Sequence, residues 1–236
     1  MTLPPERAEE IARLEAELDD LRVKLRERDE LLKTVMVERG RVLLYQIERA
    51  SELSSQAARA EQLDPVTEVF RHGYFRMRLV FEAERSRRTR QPLGLLLVDL
   101  DRFAELNEAF GYDQGERALA RVGRGLAGLW LSHETARPPV LGREAGDCFG
   151  VLLPAADAAE VAERAEEARN LIDRLPMSPR RLTASVGASV VTDPERADPR
   201  ALLDAARAAL DRAKSRGGNC VEVEQAQSGA RNDPTG

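Results

Sequence analysis

The chain has few cysteine, histidine and aromatic residues: among 236 residues there are two cysteines, two histidines and 4% aromatic side chains. Cys148 and Cys220 are far apart and lack CxxC spacing, which argues against a zinc site or disulfide framework and favours a reducing cytoplasm. No apolar run approaches the length of about 18 residues that a membrane span needs. The charged N-terminus argues against a signal peptide. We therefore expect a cytoplasmic protein without a membrane span.

The chain also lacks an excess of positive charge. It contains 36 Lys and Arg against 41 Asp and Glu, for a net charge of −5. Nucleic acid is therefore not an expected partner. A local basic run at Arg85–Arg90 is interpreted as the solvated end of a helix. The length fits one globular domain with an accessory segment.

The accessory segment is predicted to be a long helix. Residues 6–60 carry no strand signal, and apolar residues alternate at spacings of three and four, which is typical of a heptad seam interrupted at Arg28. The seam consists of Ile11, Leu14, Leu18, Leu21, Leu25, Leu32 and Val35. It fits either a parallel dimeric coiled coil or a helix folded back on its own domain. Flanks rich in charges of both signs favour the coiled coil.

A globular domain follows this helix, and we divide the chain into residues 1–62, 63–225 and a disordered tail at 226–236. The continuous apolar run Leu93–Val98 is typical of a buried strand. Periodicity predicts helices at 72–90, 102–110, 114–130, 156–174 and 199–215, and strands at 93–98, 149–153, 182–191 and 220–223. This order predicts a two-layer arrangement of helices on one sheet.

Several motifs occur in this domain in a fixed order. They are Asp64-Pro-Val-Thr67, Asp99-Leu-Asp-Arg-Phe103, Asn107-Glu-Ala-Phe-Gly-Tyr-Asp-Gln-Gly-Glu116, Arg143-Glu-Ala-Gly-Asp-Cys-Phe149, Ala184-Ser-Val-Gly-Ala188 and Ala209-Leu-Asp-Arg-Ala-Lys214. Together they resemble the GGDEF family, the diguanylate cyclases, which join two GTP molecules into cyclic di-GMP. The resemblance covers residues 63–224. It implies an α+β fold with a palm-like, mostly antiparallel sheet flanked by helices.

The resemblance also implies a site. Asp99 and Asp147 correspond to ligands of Mg²⁺, with the Leu100 carbonyl as a third ligand. Asn107 and Glu116 correspond to the pair that recognises guanine, and Lys214 corresponds to a phosphate contact. The alternative reading assigns the first two carboxylates to turn capping, and Asn107 and Glu116 to helix capping or solvated surface.

The signature departs from the family at chemically important positions. Cys148 stands where the family has a catalytic Glu, and a thiol is both a weak ligand for Mg²⁺ and mostly protonated near neutral pH. Ala145 replaces the first signature glycine, and Gly218 replaces a phosphate-binding arginine. The two positions of the product-inhibition motif are Ala136 and Pro139, so that cyclic di-GMP site is expected to be absent. A small side chain buried behind the hairpin is the simplest account of Cys148.

The leading hypothesis is a degenerate GGDEF-domain signalling protein. It would be catalytically inactive and act as a dimeric interaction or regulatory module with an unidentified protein partner, while still binding GTP with Mg²⁺. One alternative is an active diguanylate cyclase that uses Asp99 and Asp147, against which Cys148 and Gly218 argue. The other is a purely structural oligomerisation protein, against which the retained Asn107 and its companion site residues argue.

The heptad seam generates the first prediction. The full chain should be a dimer, because burying the seam stabilises the helix only when it meets an apolar partner. A fragment of residues 63–236, which lacks the seam, should be a monomer. Light scattering on both proteins measures the difference. A full-length protein that stays monomeric at tens of micromolar would contradict the coiled-coil interpretation.

Overall fold

The computed structural model describes residues 62–131, 137–178 and 180–226, together with Leu25 and Arg28. The heptad seam apart from Leu25, the C-terminal tail from residue 227 and Ala136 lie outside the described residues. The domain elements are α1 (His72–Thr89), β1 (Leu93–Leu100), α2 (Phe103–Phe110), α3 (Tyr112–Leu131), β2 (Val140–Ala145), β3 (Cys148–Pro154), α4 (Ala158–Arg174), β4 (Ala184–Val191), α5 (Pro199–Ser215) and β5 (Val221–Gln225). No helix in the described part of the chain is both long and apolar enough to cross a membrane.

The five strands form one sheet in the order β2-β3-β1-β4-β5. All neighbours are antiparallel except β4 and β5, which are parallel. The mostly antiparallel sheet expected from the resemblance is therefore confirmed. In this register Asp99, near the end of the central strand β1, lies opposite Cys148 on β3 and opposite Ser185 on β4.

Helices cover both faces of the sheet. Leu93, Leu95 and Leu97 pack in one buried cluster with residues of α1 and α5. Leu96, Val98 and Leu100, whose side chains point to the other face of the sheet, pack in a second cluster with α2, α3 and α4. The fold thus has three layers, and the two-layer expectation was wrong. The continuous apolar run of β1 already carried this information, because a strand buried on one face only would alternate with polar residues.

The predicted helices are present with ends shifted by a few residues, but the predicted element order omitted β2. This strand alternates buried and less buried residues, and it includes Gly142, Arg143 and Glu144. Such a sequence lacks the apolar run that marked the other strands. The last strand also begins at Val221 and ends at Gln225, rather than spanning 220–223.

Paired glycines let α1 approach the β2–β3 hairpin closely. Gly142 and Gly150 are partners in the ladder, and the fully buried ring of Phe75 lies over them. A Cβ atom at Gly150 would lie 2.3 Å from the ring, and one at Gly142 would lie 2.6 Å from the Cβ of Phe75. Neither position can therefore carry a side chain without moving α1, which fixes the hairpin against this helix.

A third glycine brings the backbone of α5 against β4. A Cβ at Gly187 would lie 2.2 Å from the carbonyl oxygen of Ala206 and 2.3 Å from the backbone nitrogen of Leu210. Backbone atoms in the middle of a helix cannot rotate away as a side chain can. The position of α5 over the sheet, and of every side chain that it presents to the hairpin, therefore depends on this contact.

This contact predicts that Gly187→Ala lowers the free energy of unfolding by about 1–3 kcal/mol through overpacking. The melting temperature should fall by several degrees, since 1 kcal/mol corresponds to about 2–4 °C for a protein of this size. The matched control is Gly128→Ala on α3, where an added Cβ meets nothing within 4 Å. That exposed helical position should gain about 0.5–1 kcal/mol. Equal melting temperatures for both variants would contradict the close approach.

Candidate functional site

Ionisable side chains meet where β1 ends beside the β2–β3 bend. The carboxylate of Asp99 is 13% exposed, and its Oδ1 lies 2.7 Å from the Nζ of Lys214. Lys214 belongs to the last turn of α5, which the Gly187 contact holds over the sheet. The structure therefore brings together two residues that are 115 positions apart in the sequence.

Asp99 is held in an environment that disfavours its charged form. Burial raises the pKa of its carboxyl group, and the negative charges of Asp147 and Asp101 raise it further. The hydrogen bond and positive charge of Lys214 lower the pKa but do not compensate. The site thus concentrates negative charge beyond what its own cation neutralises, which is an arrangement suited to receive a further cation.

The environment of Lys214, in contrast, favours its charged form. Its partial burial works to lower the pKa of the ammonium group, but the hydrogen bond to Asp99 and the charges of Asp99 and Asp147 outweigh burial and leave the pKa raised. Lys214 is therefore a firmly charged cation at neutral pH. Its side chain is 45% exposed, so the ammonium group remains open to an approaching anion.

Cys148 is a buried neutral thiol. It lies directly across from Asp99 in the ladder and belongs to the buried cluster under α1 and α5. Burial raises the pKa of the thiol far above its usual range, and the charges of Asp99, Glu144 and Asp147 act in the same direction. The position agrees with a small side chain packed behind the hairpin. A protonated thiol is not a ligand that Mg²⁺ accepts.

The donor set at this end of the sheet fits a divalent cation only in part. Asp99 and Asp147 offer two carboxylates close enough for their charges to interact. The described residues contain no group of three or more His, Cys, Asp or Glu side chains placed to hold a metal ion. A hard cation such as Mg²⁺ would then need further oxygen ligands from water or from a bound phosphate.

Asp101, the second aspartate of the motif that begins at Asp99, stabilises the fold. Asp101 accepts hydrogen bonds from the hydroxyls of Thr183 at 2.7 Å and Ser185 at 2.6 Å, and from the backbone N–H of Asn219 at 2.9 Å. It thereby connects β1, β4 and the loop after α5. A Cβ at Gly218 would lie 2.9 Å from Asp101, and Gly218 has a φ of +81°. A side chain is therefore strained at this position, where the resemblance places an arginine.

The nearby Arg216 forms its ion pair outside this site. Its guanidinium pairs with Glu222 on β5, and this hydrogen bond, followed by the charge of Glu222, raises the pKa of the arginine. Of Lys214 and Arg216, it is Lys214 that pairs with Asp99 at this end of the sheet.

The two residues assigned to guanine lie on α2 and α3, which pack together. The buried Oδ1 of Asn107 has no hydrogen-bond partner. A Cβ at Gly115 would lie only 1.9 Å from this oxygen, so the glycine makes room for the amide. Glu116 follows and is exposed. The described contacts of Asn107 and Glu116 do not include Asp99 or Lys214, so the predicted residues form two groups.

Sequence reasoning missed a buried carboxylate next to the bend. Glu144 is only 4% exposed, and its Oε1 accepts hydrogen bonds from Arg76 on α1 at 2.5 Å and from Arg207 on α5 at 3.1 Å. The Nδ1 of His72 lies 3.6 Å from its Oε2. The spacing of His72 and Arg76, four residues apart, and of Arg207 and Lys214, seven apart, places each pair on one helix face. That spacing was the available signal.

The signature arginine holds the bend from the other side of the hairpin. Arg143 pairs with Asp64 at 3.2 Å, donates to the carbonyl of Gly146, and lies 5.8 Å above the ring of Phe149. Asp64 also accepts hydrogen bonds from the backbone and hydroxyl of Thr67. The opening motif and the signature motif therefore stabilise one another.

A family model agrees with these observations. The model described as "Diguanylate cyclase, GGDEF domain" matches residues 61–220. Among curated proteins, the chain is 30% identical over 167 residues to the probable diguanylate cyclase DgcT of Escherichia coli K12 and 27% identical over 181 residues to the diguanylate cyclase DosC of the same strain. These alignments cover 68% and 74% of this chain but 35% and 38% of the relatives. The chain thus spans little more than a third of their length.

Solved structures share the fold. The coiled coil and GGDEF domain of DgcB from Caulobacter crescentus, in complex with c-di-GMP, matches with a TM-score of 0.71 at 21% identity over 80% of this chain and 99% of that one. The diguanylate cyclase SiaD from Pseudomonas aeruginosa, in complex with its activator SiaC, matches with a TM-score of 0.64 at 26% identity over 93% and 84% of the two chains.

The electrostatics of Asp99 generate a prediction about stability. A carboxyl whose pKa is higher in the folded than in the unfolded state contributes stability below its unfolded pKa, and this contribution is lost as the pH rises through the folded pKa. Without divalent cations, Asp99→Asn should therefore melt at a higher temperature than the unmodified protein at pH 7. The difference should shrink at pH 4, where the unmodified carboxyl takes up its proton.

Thermal unfolding at both pH values measures this effect. The exposed Asp204→Asn on α5 controls for the loss of one negative charge. A variant at Asp99 that melts below the unmodified protein by the same margin at both pH values would show that the Lys214 ion pair outweighs the cost of burial.

Proposed function

The chain belongs to the GGDEF domain family, and on that premise we propose that it is a catalytically silent member that binds GTP with Mg²⁺ and acts as a regulatory module. The observation that carries this proposal is the buried, neutral Cys148 directly across the ladder from Asp99. The resemblance puts a carboxylate at this position. Here the side chain is packed in an apolar cluster, which removes both the charge and the access.

The chemistry explains why this single position matters. Joining two GTP molecules requires a hydroxyl to attack a phosphoryl group, with metal ions and positioned charges neutralising the developing negative charge. Removing one such positioned group costs about 2.7–4 kcal/mol of transition-state stabilisation in well-studied sites, or a factor of about 10²–10³ in rate. Gly218, which cannot accept a side chain without displacing Asp101, removes a second one.

Binding makes weaker demands than catalysis, and most of the residues for it remain. Asp99 and Asp147 are the ligands that would hold Mg²⁺, which would relieve the excess of negative charge at this end of the sheet. Lys214 is a charged and partly exposed phosphate contact. Asn107 offers an amide and Glu116 a carboxylate to a guanine edge.

We also propose that the protein acts as a dimer. The heptad seam of residues 11–35 supports this assembly, and the structural relative DgcB combines a coiled coil with a GGDEF domain. In SiaD, the similar chain is bound by an activator protein. A GGDEF domain that binds nucleotide without turnover would signal through such a protein partner.

Active cyclase is the competing function, favoured by two observations. The curated relatives are named as diguanylate cyclases. Asp99 and Asp147 are present, and a metal site built from these two carboxylates and phosphate oxygens would support slow turnover. The two functions differ in one measurable quantity, the rate at which cyclic di-GMP forms.

The test combines nucleotide binding with product analysis on the same proteins. A ligand that binds only the folded state at a hundredfold excess over its Kd stabilises it by about 2.7 kcal/mol. We expect GTP with Mg²⁺ to raise the melting temperature by several degrees, to act more strongly than ATP, and to lose its effect in Asp99→Ala. Chromatography of the same samples should detect no cyclic di-GMP.

Variants at Cys148 separate the two functions. Cys148→Ser keeps the size of the side chain without a carboxylate and should stay silent, whereas Cys148→Glu, alone or with Ala145→Gly, tests whether charge at this position restores turnover. Turnover by the unmodified protein at the enzymatic scale of about 1 per second or more would refute the silent-site proposal. An unchanged melting temperature at millimolar GTP with Mg²⁺ would refute nucleotide binding and leave a scaffold.

A further inference from the structure

The arginines of this domain fall into two groups. Most of those in the described region lie within 4 Å of a carboxylate, as Arg76, Arg143 and Arg207 do. Three arginines on α3, at positions 117, 121 and 124, have no carboxylate partner among the described residues. Their spacing of four and three places them on one face of the helix. In a chain of net charge −5, this concentration of unpaired positive charge on one face requires an explanation.

These three arginines line a cavity of about 320 Å³. Helix α3 forms one wall, and the segment that leads into β4 forms the other through Met177, Ser178 and Arg180. Leu106 of α2 and Ala118 of α3 are buried and contribute apolar surface. The cavity therefore combines four guanidinium groups with an apolar lining. In the described contacts, one arginine of the cavity pairs with a carboxylate: Arg180 lies 3.1 Å from Glu105.

Hydrogen bonds hold the two walls in place. Arg121 donates to the carbonyl of Pro176, and the amide of Gln114 donates to the carbonyl of Ser178 at 2.6 Å. Arg124 donates through its Nε to the carbonyl of Ala120, one turn earlier on α3. Each of these arginines uses one N–H group of the five that a guanidinium carries. The remaining donors stay available in a cavity whose geometry is already set.

We propose that this cavity binds a small phosphorylated molecule with an apolar or aromatic body, about the size of a mononucleotide. The planar guanidinium fork matches phosphate oxygens in pairs, and the three such groups on α3 converge here without a carboxylate partner in the described region. The volume lies at the lower end of the range of about 300–1,000 Å³ for small-molecule pockets. The apolar surface would contact the organic part of such a molecule, which inorganic phosphate does not have. None of the lining residues belongs to the set assigned to GTP and Mg²⁺.

The test is calorimetric titration of the full chain with adenosine monophosphate and with pyrophosphate, in EDTA so that no divalent cation is available at Asp99. We expect adenosine monophosphate to bind more tightly than pyrophosphate, and binding to weaken as salt is added. The variant Arg117→Ala/Arg124→Ala removes two guanidinium groups and keeps the contact from Arg121 to Pro176. It should weaken binding by about tenfold or more, as the loss of charge-assisted hydrogen bonds predicts.

The matched control is Arg88→Ala/Arg200→Ala, which removes two exposed arginines elsewhere and changes the net charge equally. It should bind like the unmodified protein. If the alanine variant melts at a markedly lower temperature, Arg117→Gln/Arg124→Gln replaces it, because glutamine keeps the aliphatic stem while removing the charge. Circular dichroism confirms that each protein tested is folded.

Three results would overturn the proposal. The first is the absence of binding at millimolar adenosine monophosphate. The second is equal affinity of the control and the Arg117/Arg124 variants, which would place binding elsewhere. The third is tighter arginine-dependent binding of a polyglutamate peptide than of adenosine monophosphate, which would identify a docking surface for an acidic protein instead of a small-molecule site.

Discussion

The contact between the backbone of α5 and β4 at Gly187 is the constraint on which the site depends. It fixes the helix at a distance from the sheet that no side chain at this position would allow. At that distance, Arg207 reaches the buried Glu144 and Lys214 reaches Asp99. Because both cations lie on the same face of α5, one packing contact sets both ion pairs. The hairpin bend is thereby held between a rigid helix and a sheet that is buried on both faces.

The charges around the bend are arranged in two ways. Glu144 is buried but well compensated, since two arginines donate to it and a histidine lies nearby. Asp99 is less well compensated, since one lysine faces it while Asp147 and Asp101 add negative charge. The first arrangement stabilises the position of the bend. The second arrangement leaves negative charge that a bound cation can neutralise. Groups with perturbed pKa values of this kind are typical of sites that bind ligands.

Cys148 fits the packing of the domain but does not supply a charged ligand. The fold accepts the thiol readily, because the position faces the apolar cluster under α1 and α5 and a small neutral side chain suits it. The same burial raises the pKa of the thiol and removes any role as a ligand for a hard cation. The position therefore suits the packing of the domain without supplying a charge. The proposed function, nucleotide binding without turnover, rests on this difference.

The sequence by itself determined the order of most elements, which follows from apolar runs and helical periodicity. Its ordered motifs carried the resemblance that implied the family and the mostly antiparallel sheet. It did not indicate β2, since Gly142, Arg143 and Glu144 interrupt the apolar pattern there. The resemblance of the ordered motifs to the GGDEF family already indicated Asp99, Lys214 and Cys148 as the positions of interest. Tertiary structure alone decided that Asp99 pairs with Lys214, that Glu144 is buried among cations from two helices, and that a side chain at Gly218 would displace Asp101. The physical reason is that pairing and burial depend on distances between elements, which packing sets and which no local pattern encodes.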